Sequence, residues 1–153
     1  MNWEYLAGFI DGEGSISIFR GHLNSKFPHL TNRITIPNTD KRIIRLICEF
    51  LKSNEINFCV TYRSEDNPNH KAGIVIMISE IDSLLKICSK LRGRLIIKAQ
   101  HLELLIRYLK LRKKKLDKTQ WRRDLARYGR REFNLFSQLR ILNKKGPDAQ
   151  KTI

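Results

Sequence analysis

The sequence predicts an α+β fold: an αββαββα core with a four-stranded antiparallel sheet, a saddle covered by helices on one face, plus a basic C-terminal helical extension. Three observations lead there. Period-two alternation or short apolar runs of strand length occur at four places. These runs fall into two pairs, each joined by a polar, turn-rich stretch, which favours hairpins and therefore antiparallel pairing. Each pair is followed by apolar residues spaced three and four apart, the helical period, so helices alternate with hairpins and cover the sheet. At 153 residues and 41% hydrophobic, the chain is long enough to bury a core.

The elements follow in order. Residues 2–13 read as a helix with Asn2 as N-cap and Gly14 in the left-handed position that ends it. Ser15, Ser17 and Phe19 alternate with Ile16 and Ile18, a strand. Residues 27–36 alternate again, with Leu30, Ile34 and Ile36 on one parity and His29, Thr31, Arg33 and Thr35 on the other. Pro37-Asn38-Thr39-Asp40 reads as a turn and helix cap, and residues 41–52 carry Ile43, Ile44, Ile47, Phe50 and Leu51 on one helical stripe. Phe58, Val60 and Tyr62 alternate with Cys59, Thr61 and Arg63. Residues 72–79 form a buried strand, and a helix begins at Ser79 or Asp82 and stops at Gly93. Another helix covers about residues 98–114. From Lys118 to Asn143 helical spacing continues, with Gly129 a break between two helices. Residues 1–112 are read as the core and 113–153 as the extension.

Charge narrows the function. Thirty Lys and Arg against fifteen Asp and Glu leave a net charge of +15. Between Arg107 and Lys145 there are fifteen basic and three acidic residues, 15 − 3 = +12. Self-repulsion on that scale points to a polyanionic partner, with nucleic acid ahead of an anionic membrane. No run approaches the roughly 20 apolar residues of a membrane span, and no secretory signal is expected, since Met1-Asn2-Trp3-Glu4 opens neither a basic nor an apolar leader region. Cys48, Cys59 and Cys88 form neither a zinc pair nor a disulfide framework and read as buried thiols of a reducing compartment. The expected location is the cytoplasm or an organellar matrix. Ser15, Ser17, His29, Thr31, Arg33, Thr35, Thr61 and Arg63 share the polar parities of the strands, a row of hydrogen-bonding side chains suited to nucleic acid.

The stretch LAGFIDGEG, residues 6–14, places small residues and acids inside an apolar helix. Gly8 and Gly12 are four apart and leave one helical stripe bare, which admits a second helix at close range. The chain has one such helix, so the second copy comes from a second chain related by a two-fold axis. Ala7, Gly8, Asp11 and Gly12 are expected at that interface. Asp11 and Glu13 lie at the unfavourable negative end of the helix dipole. Two copies of these acids near an axis would repel unless a cation intervened. Mg²⁺ prefers one or two carboxylates together with phosphate oxygens and water, an arrangement suited to phosphodiester hydrolysis.

The nonapeptide resembles the LAGLIDADG motif of the homing endonucleases, with Phe9 for Leu, Gly12 for Ala and Glu13 for Asp; six of nine positions match. Residues 15–18, the turn at 36–41 and the segment at 95–100 resemble the corresponding family segments, so the resemblance covers about residues 3–110. It implies an intron-encoded, site-specific DNA endonuclease. A homodimer would make a Mg²⁺-dependent double-strand cut across the minor groove of a long, pseudo-palindromic target, with the saddle in the major groove. It assigns the metal to Glu13 and the Gly12 backbone carbonyl, water positioning to Asn38, and the basic roles beside the scissile phosphates to Arg42 and Lys98. Asp11 is assigned capping or pairing near the axis rather than the metal. Lys113, Lys114 and Lys115 are candidates to grip phosphates of double-stranded DNA, to pack as an added helical layer, or to do both. The alternative reading is an RNA maturase, with RNA as partner, or a DNA-binding module of the same fold without hydrolysis. The acid at position 13 favours the nuclease.

Overall fold

The computed structural model describes residues 1–21, 29–63, 73–119 and 127–144. The element order is α1 (Trp3–Glu13), β1 (Ser15–Arg20), β2 (Leu30–Asn38), α2 (Lys41–Ser53), β3 (Cys59–Arg63), β4 (Gly73–Ile78), α3 (Ile81–Leu91), α4 (Ala99–Lys118) and α5 (Arg130–Leu142). The predicted αββαββα order is present, and the strands form one sheet in the order β1-β2-β4-β3. The residues beyond Gly21 in the expected turn over 21–25, the expected polar loop over 64–70 and the expected helix before Gly129 lie outside the described residues.

The chain divides into two compact units. One comprises Met1–Ile16 with Arg33–Ala99, the other Ser17–Asn32 with Gln100–Ile153. Residue 112, after which the core was expected to give way to the extension, lies inside α4, a single 20-residue helix. Helix geometry continues through the lysine run because Leu109, Arg112 and Leu116 keep the three-to-four spacing and are all buried.

Within the first unit, β4 pairs antiparallel with both β2 and β3. Ile34 faces Ile78, Thr35 faces Met77, and Cys59 faces Met77 from the other side. Side chains alternate across a sheet, so Ile34, Ile36, Ile74, Ile76 and Ile78 share one face, and each is buried. Helix α2 packs against β4 and α1 against α3. Helix α2 buries Ile44, Ile47 and Leu51, and Trp3 meets Phe50 edge-on, with ring centroids 4.9 Å apart. Val60 and Tyr62 share the parity of the isoleucines yet are exposed. Cys59 is exposed too, against the expectation of a buried thiol, because β3 is an edge strand whose residues 59–62 are exposed on both parities.

Two helix ends differ from expectation. Gly14 is extended (φ −74°, ψ 167°), not left-handed. Its need for glycine is steric, since a Cβ there would lie 2.8 Å from the Ile10 carbonyl oxygen. Helix α3 has neither Ser79 nor Asp82 as cap. Glu80 occupies that position, and its carboxylate accepts hydrogen bonds from Asn57 Nδ2 and Ser83 Oγ. Gly93 is left-handed at φ +78°, as the end of α3 requires.

Candidate nuclease site

Helix α1 forms because Asn2 caps it, its side-chain oxygen accepting the Tyr5 N–H at 2.9 Å, and because Leu6, Ala7 and Ile10 give it a buried side. Its other side is open. Gly8 and Gly12 are exposed, and a methyl group built on either would touch nothing within 4 Å. Tyr5 and Phe9 flank them with stacked rings at 6.3 Å. Of the four residues expected on the pairing stripe, the chain covers Ala7 and Asp11 by itself and leaves Gly8 and Gly12 bare.

Asp11 turns inward. Its carboxylate accepts the backbone N–H groups of Ile96 (2.6 Å), Ile97 (3.2 Å) and Lys98 (2.9 Å). Lys98 returns the contact, its ammonium donating to the Asp11 backbone carbonyl. Helix α1 has no basic residue in its own last turn, so Lys98 supplies the positive charge favoured at a helix C-terminus. Gly12 and Glu13 follow immediately and are exposed. Among the described residues, the Glu13 carboxylate makes no hydrogen bond or ion pair. The fold thus brings Lys98 to the last turn that Glu13 ends.

Asn38 and Arg42 are organised by a residue read from the sequence only as a cap. Asn38 Oδ1 accepts the Asp40 N–H at 2.8 Å. Asp40 caps α2 by accepting the Arg42 N–H at 2.8 Å, and its carboxylate takes the Arg42 guanidinium at 2.8 and 3.2 Å. Arg42 holds the Asp40 carboxyl down at about 2. This Asp40 role was legible only as far as the cap, because a two-residue separation on a turn does not announce an ion pair. Among the described residues, no hydrogen bond or ion pair joins the Asn38–Arg42 turn to the end of α1.

Burial alternates with the expected parities in β1 and β2, whereas residues 59–62 of β3 are exposed on both. Thr31, Arg33 and Thr35 are half-buried between buried neighbours, Ser15 and Thr61 are exposed, and Ser17 is half-buried. Arg33 Nη1 points at Met77 Sδ, 3.8 Å away. The Arg63 side chain lies outside the description, although its backbone pairs with Gly73. Along β4 this face turns apolar, through Val75 and Met77, a feature that the continuous apolar run concealed. His29 packs over Gly21, where a Cβ would collide with its ring.

The lysine run divides. Lys114 is exposed and Lys113 half-buried. Lys115 takes the packing alternative: its ammonium pairs with the buried Glu132 carboxylate and donates to the Arg127 carbonyl at 3.2 Å. A fully buried carboxylate claims the nearest flexible cation.

Among the described residues, no three His, Cys, Asp or Glu side chains gather into a metal cage. The donors at the end of α1 are hard oxygens, Glu13 carboxylate and Gly12 carbonyl. They fit a cation that completes its shell with substrate phosphate, water or a second chain.

The sequence profile of the family described as LAGLIDADG endonuclease matches residues 6–124. The chain belongs to the LAGLIDADG endonuclease family. Solved structures with this LAGLIDADG fold include the archaeal intron-encoded homing endonuclease I-Vdi141I complexed with DNA. It is 19% identical at a TM-score of 0.70, over 94% of this chain and 85% of that one. I-CvuI, in complex with the I-CreI target in 2 mM Mg with the DNA not cleaved, is 17% identical at a TM-score of 0.66, over 95% and 83%. The LAGLIDADG meganuclease I-AabMI, bound to uncleaved DNA, is 21% identical at a TM-score of 0.65, and this chain spans 48% of its length. At these identities the likeness is one of fold. No curated protein sequence matches the chain.

Proposed function

We propose that this LAGLIDADG chain is one half of a homodimeric, intron-encoded homing endonuclease, making a Mg²⁺-dependent double-strand cut at a long pseudo-palindromic DNA target. The observation that carries this reading is α1. It occurs once per chain, leaves Gly8 and Gly12 bare, and ends in an exposed Glu13. Two such helices packed along the bare stripe bring two Glu13 carboxylates together, one for each strand of the duplex.

Glu13 and the Gly12 carbonyl would hold the cation. Bound there, it would supply Lewis-acid polarisation of the phosphodiester and a more acidic water. The chain's own residues do the rest. Lys98, fixed by the Asp11 carbonyl, sets an ammonium beside the position where negative charge grows on the phosphate. Arg42 exchanges Asp40 for a phosphate oxygen, which its planar fork suits equally well. Asn38 orients water at the turn. Arg33, Thr35 and the other residues on their parity face the major groove.

The test is Glu13→Gln, which keeps shape and removes charge. The expected outcome is loss of cleavage with DNA binding retained, measured on duplex carrying the uninterrupted insertion site of the host gene. Near wild-type cutting in Mg²⁺ would refute the assignment, and wild-type protein that binds but never cuts would favour a non-cleaving binding module.

A further inference from the structure

A second charged cluster lies within the unit built from residues 17–32 and 100–153. Glu132 is fully buried at the start of α5, and its carboxylate accepts the Gly129 N–H at 3.0 Å. It pairs with Lys115 and, at 3.5 Å, with Arg112 of α4. The Arg112 guanidinium lies 3.9 Å from the centre of the Tyr128 ring. The Tyr128 hydroxyl donates to the Leu30 carbonyl at 3.0 Å, and the Tyr108 hydroxyl donates to the same oxygen at 3.4 Å. A carbonyl oxygen has two lone pairs, so the first residue of β2 is tied by two tyrosines, one from α4 and one from the segment ahead of α5.

Leu30 stands between His29 and Thr31, and a strand residue sets the directions of its neighbours. Hydrogen bonds to base edges weaken steeply with angle, so a small rotation at Leu30 would misdirect both side chains. A buried ion pair is seldom needed for stability, since apolar residues of similar volume serve as well. Here Glu132 acts through geometry. It orients Arg112, which in turn fixes the Tyr128 ring by stacking.

We propose that Tyr128, held by the Arg112–Glu132 pair, is a positioning residue for DNA reading by His29 and Thr31, so that the C-terminal segment sets specificity at the base pairs these residues face. This rests on the reading that the polar strand face reads duplex DNA.

The test selects randomised duplex DNA for binding by the full chain and sequences the bound fraction. Wild type, Tyr128→Phe, Tyr108→Phe, His29→Ala and Thr31→Ala are compared. Tyr128→Phe keeps the ring on Arg112 and removes the bond to Leu30. It should lose discrimination by about fivefold at the positions where His29→Ala and Thr31→Ala lose it. Preference elsewhere should persist, with a melting midpoint close to wild type. Tyr108→Phe should affect the same positions and carries the test if Tyr128→Phe does not fold. A wild-type profile in both phenylalanine variants would overturn the proposal, as would uniform weakening at every position in step with lost stability. If wild type itself selects no sequence, the DNA-reading interpretation fails first and the proposal falls with it.

Discussion

Arg33 and Ile34 are adjacent in sequence and opposite in environment. Ile34 is fully buried against the isoleucine face, while Arg33 is half-buried on the opposite parity with Nη1 directed at Met77 Sδ. Truncating Ile34 to Ala should therefore cost about 2–5 kcal/mol of stability and leave base preference alone. Arg33→Ala should do the reverse, relaxing preference by about 1–3 kcal/mol at one or two symmetric positions per half-site. Denaturant melts and a cleavage profile over single-base target variants check the pair; exchanged phenotypes would mean the two faces are misassigned. This division was legible from alternation alone, because burial of one face enforces period two. The Asp11–Lys98 contact was not. Eighty-seven residues separate the partners, and spacing carries no signal over that distance. The resemblance alone brought Lys98 forward, and the structure adds what holds it there.

Among the elements, α1 shows that glycines in one motif serve different ends. Gly14 abuts backbone, so Gly14→Ala should destabilise the chain by about 1–3 kcal/mol as overpacking. A side chain at Gly8 starts in open space within the chain, so Gly8→Leu should still fold cooperatively yet sediment as a monomer, melting below the wild-type dimer by the lost association free energy. A clean wild-type monomer with and without DNA would instead contradict the homodimer. The motif spacing made the bare stripe legible but not the Gly14 contact, because a glycine in a sequence does not distinguish a backbone-angle requirement from a steric one. Helix α5 carries its own pH dependence. Burial pushes the Glu132 carboxyl up, but hydrogen bonds from Lys115 and the backbone outweigh it, leaving it below its ordinary 4.5. A depressed value means the stabilisation is complete above 4.5 and is lost as pH falls through the lower folded value. Acidification from about pH 6 to about pH 3 should release Tyr128 from Arg112, seen as a change in tyrosine fluorescence that Glu132→Gln abolishes.

For the whole molecule the net charge of +15 predicts salt-sensitive binding, with each neutralised phosphate contributing about −0.9 to the slope of log K against log salt. The lysine run should not act uniformly. Lys114→Gln should flatten the slope for specific and random duplex alike, whereas Lys115→Gln should leave it nearly unchanged and loosen α5. Equal effects on the slope would refute the role assigned to Lys115. Fold class and the order of elements along the chain were legible because hydrophobic period and turn chemistry agree along the core, whereas the strand order β1-β2-β4-β3 came only from the structure. The division into units was not legible either. A run of charged residues reads as a change of region, but α4 passes through it on buried Leu109, Arg112 and Leu116.

The Asp11 carboxylate has one further consequence, visible to hydrogen exchange. The amides of Ile96, Ile97 and Lys98 share this single acceptor group, so none can be released by fraying alone. They should exchange with solvent as a set, in an opening that parts the 96–98 segment from α1 and carries Lys98 away from Glu13. Such partial openings lie below global unfolding in free energy. The three amide protons therefore count how often the folded chain loses its candidate site while keeping its core.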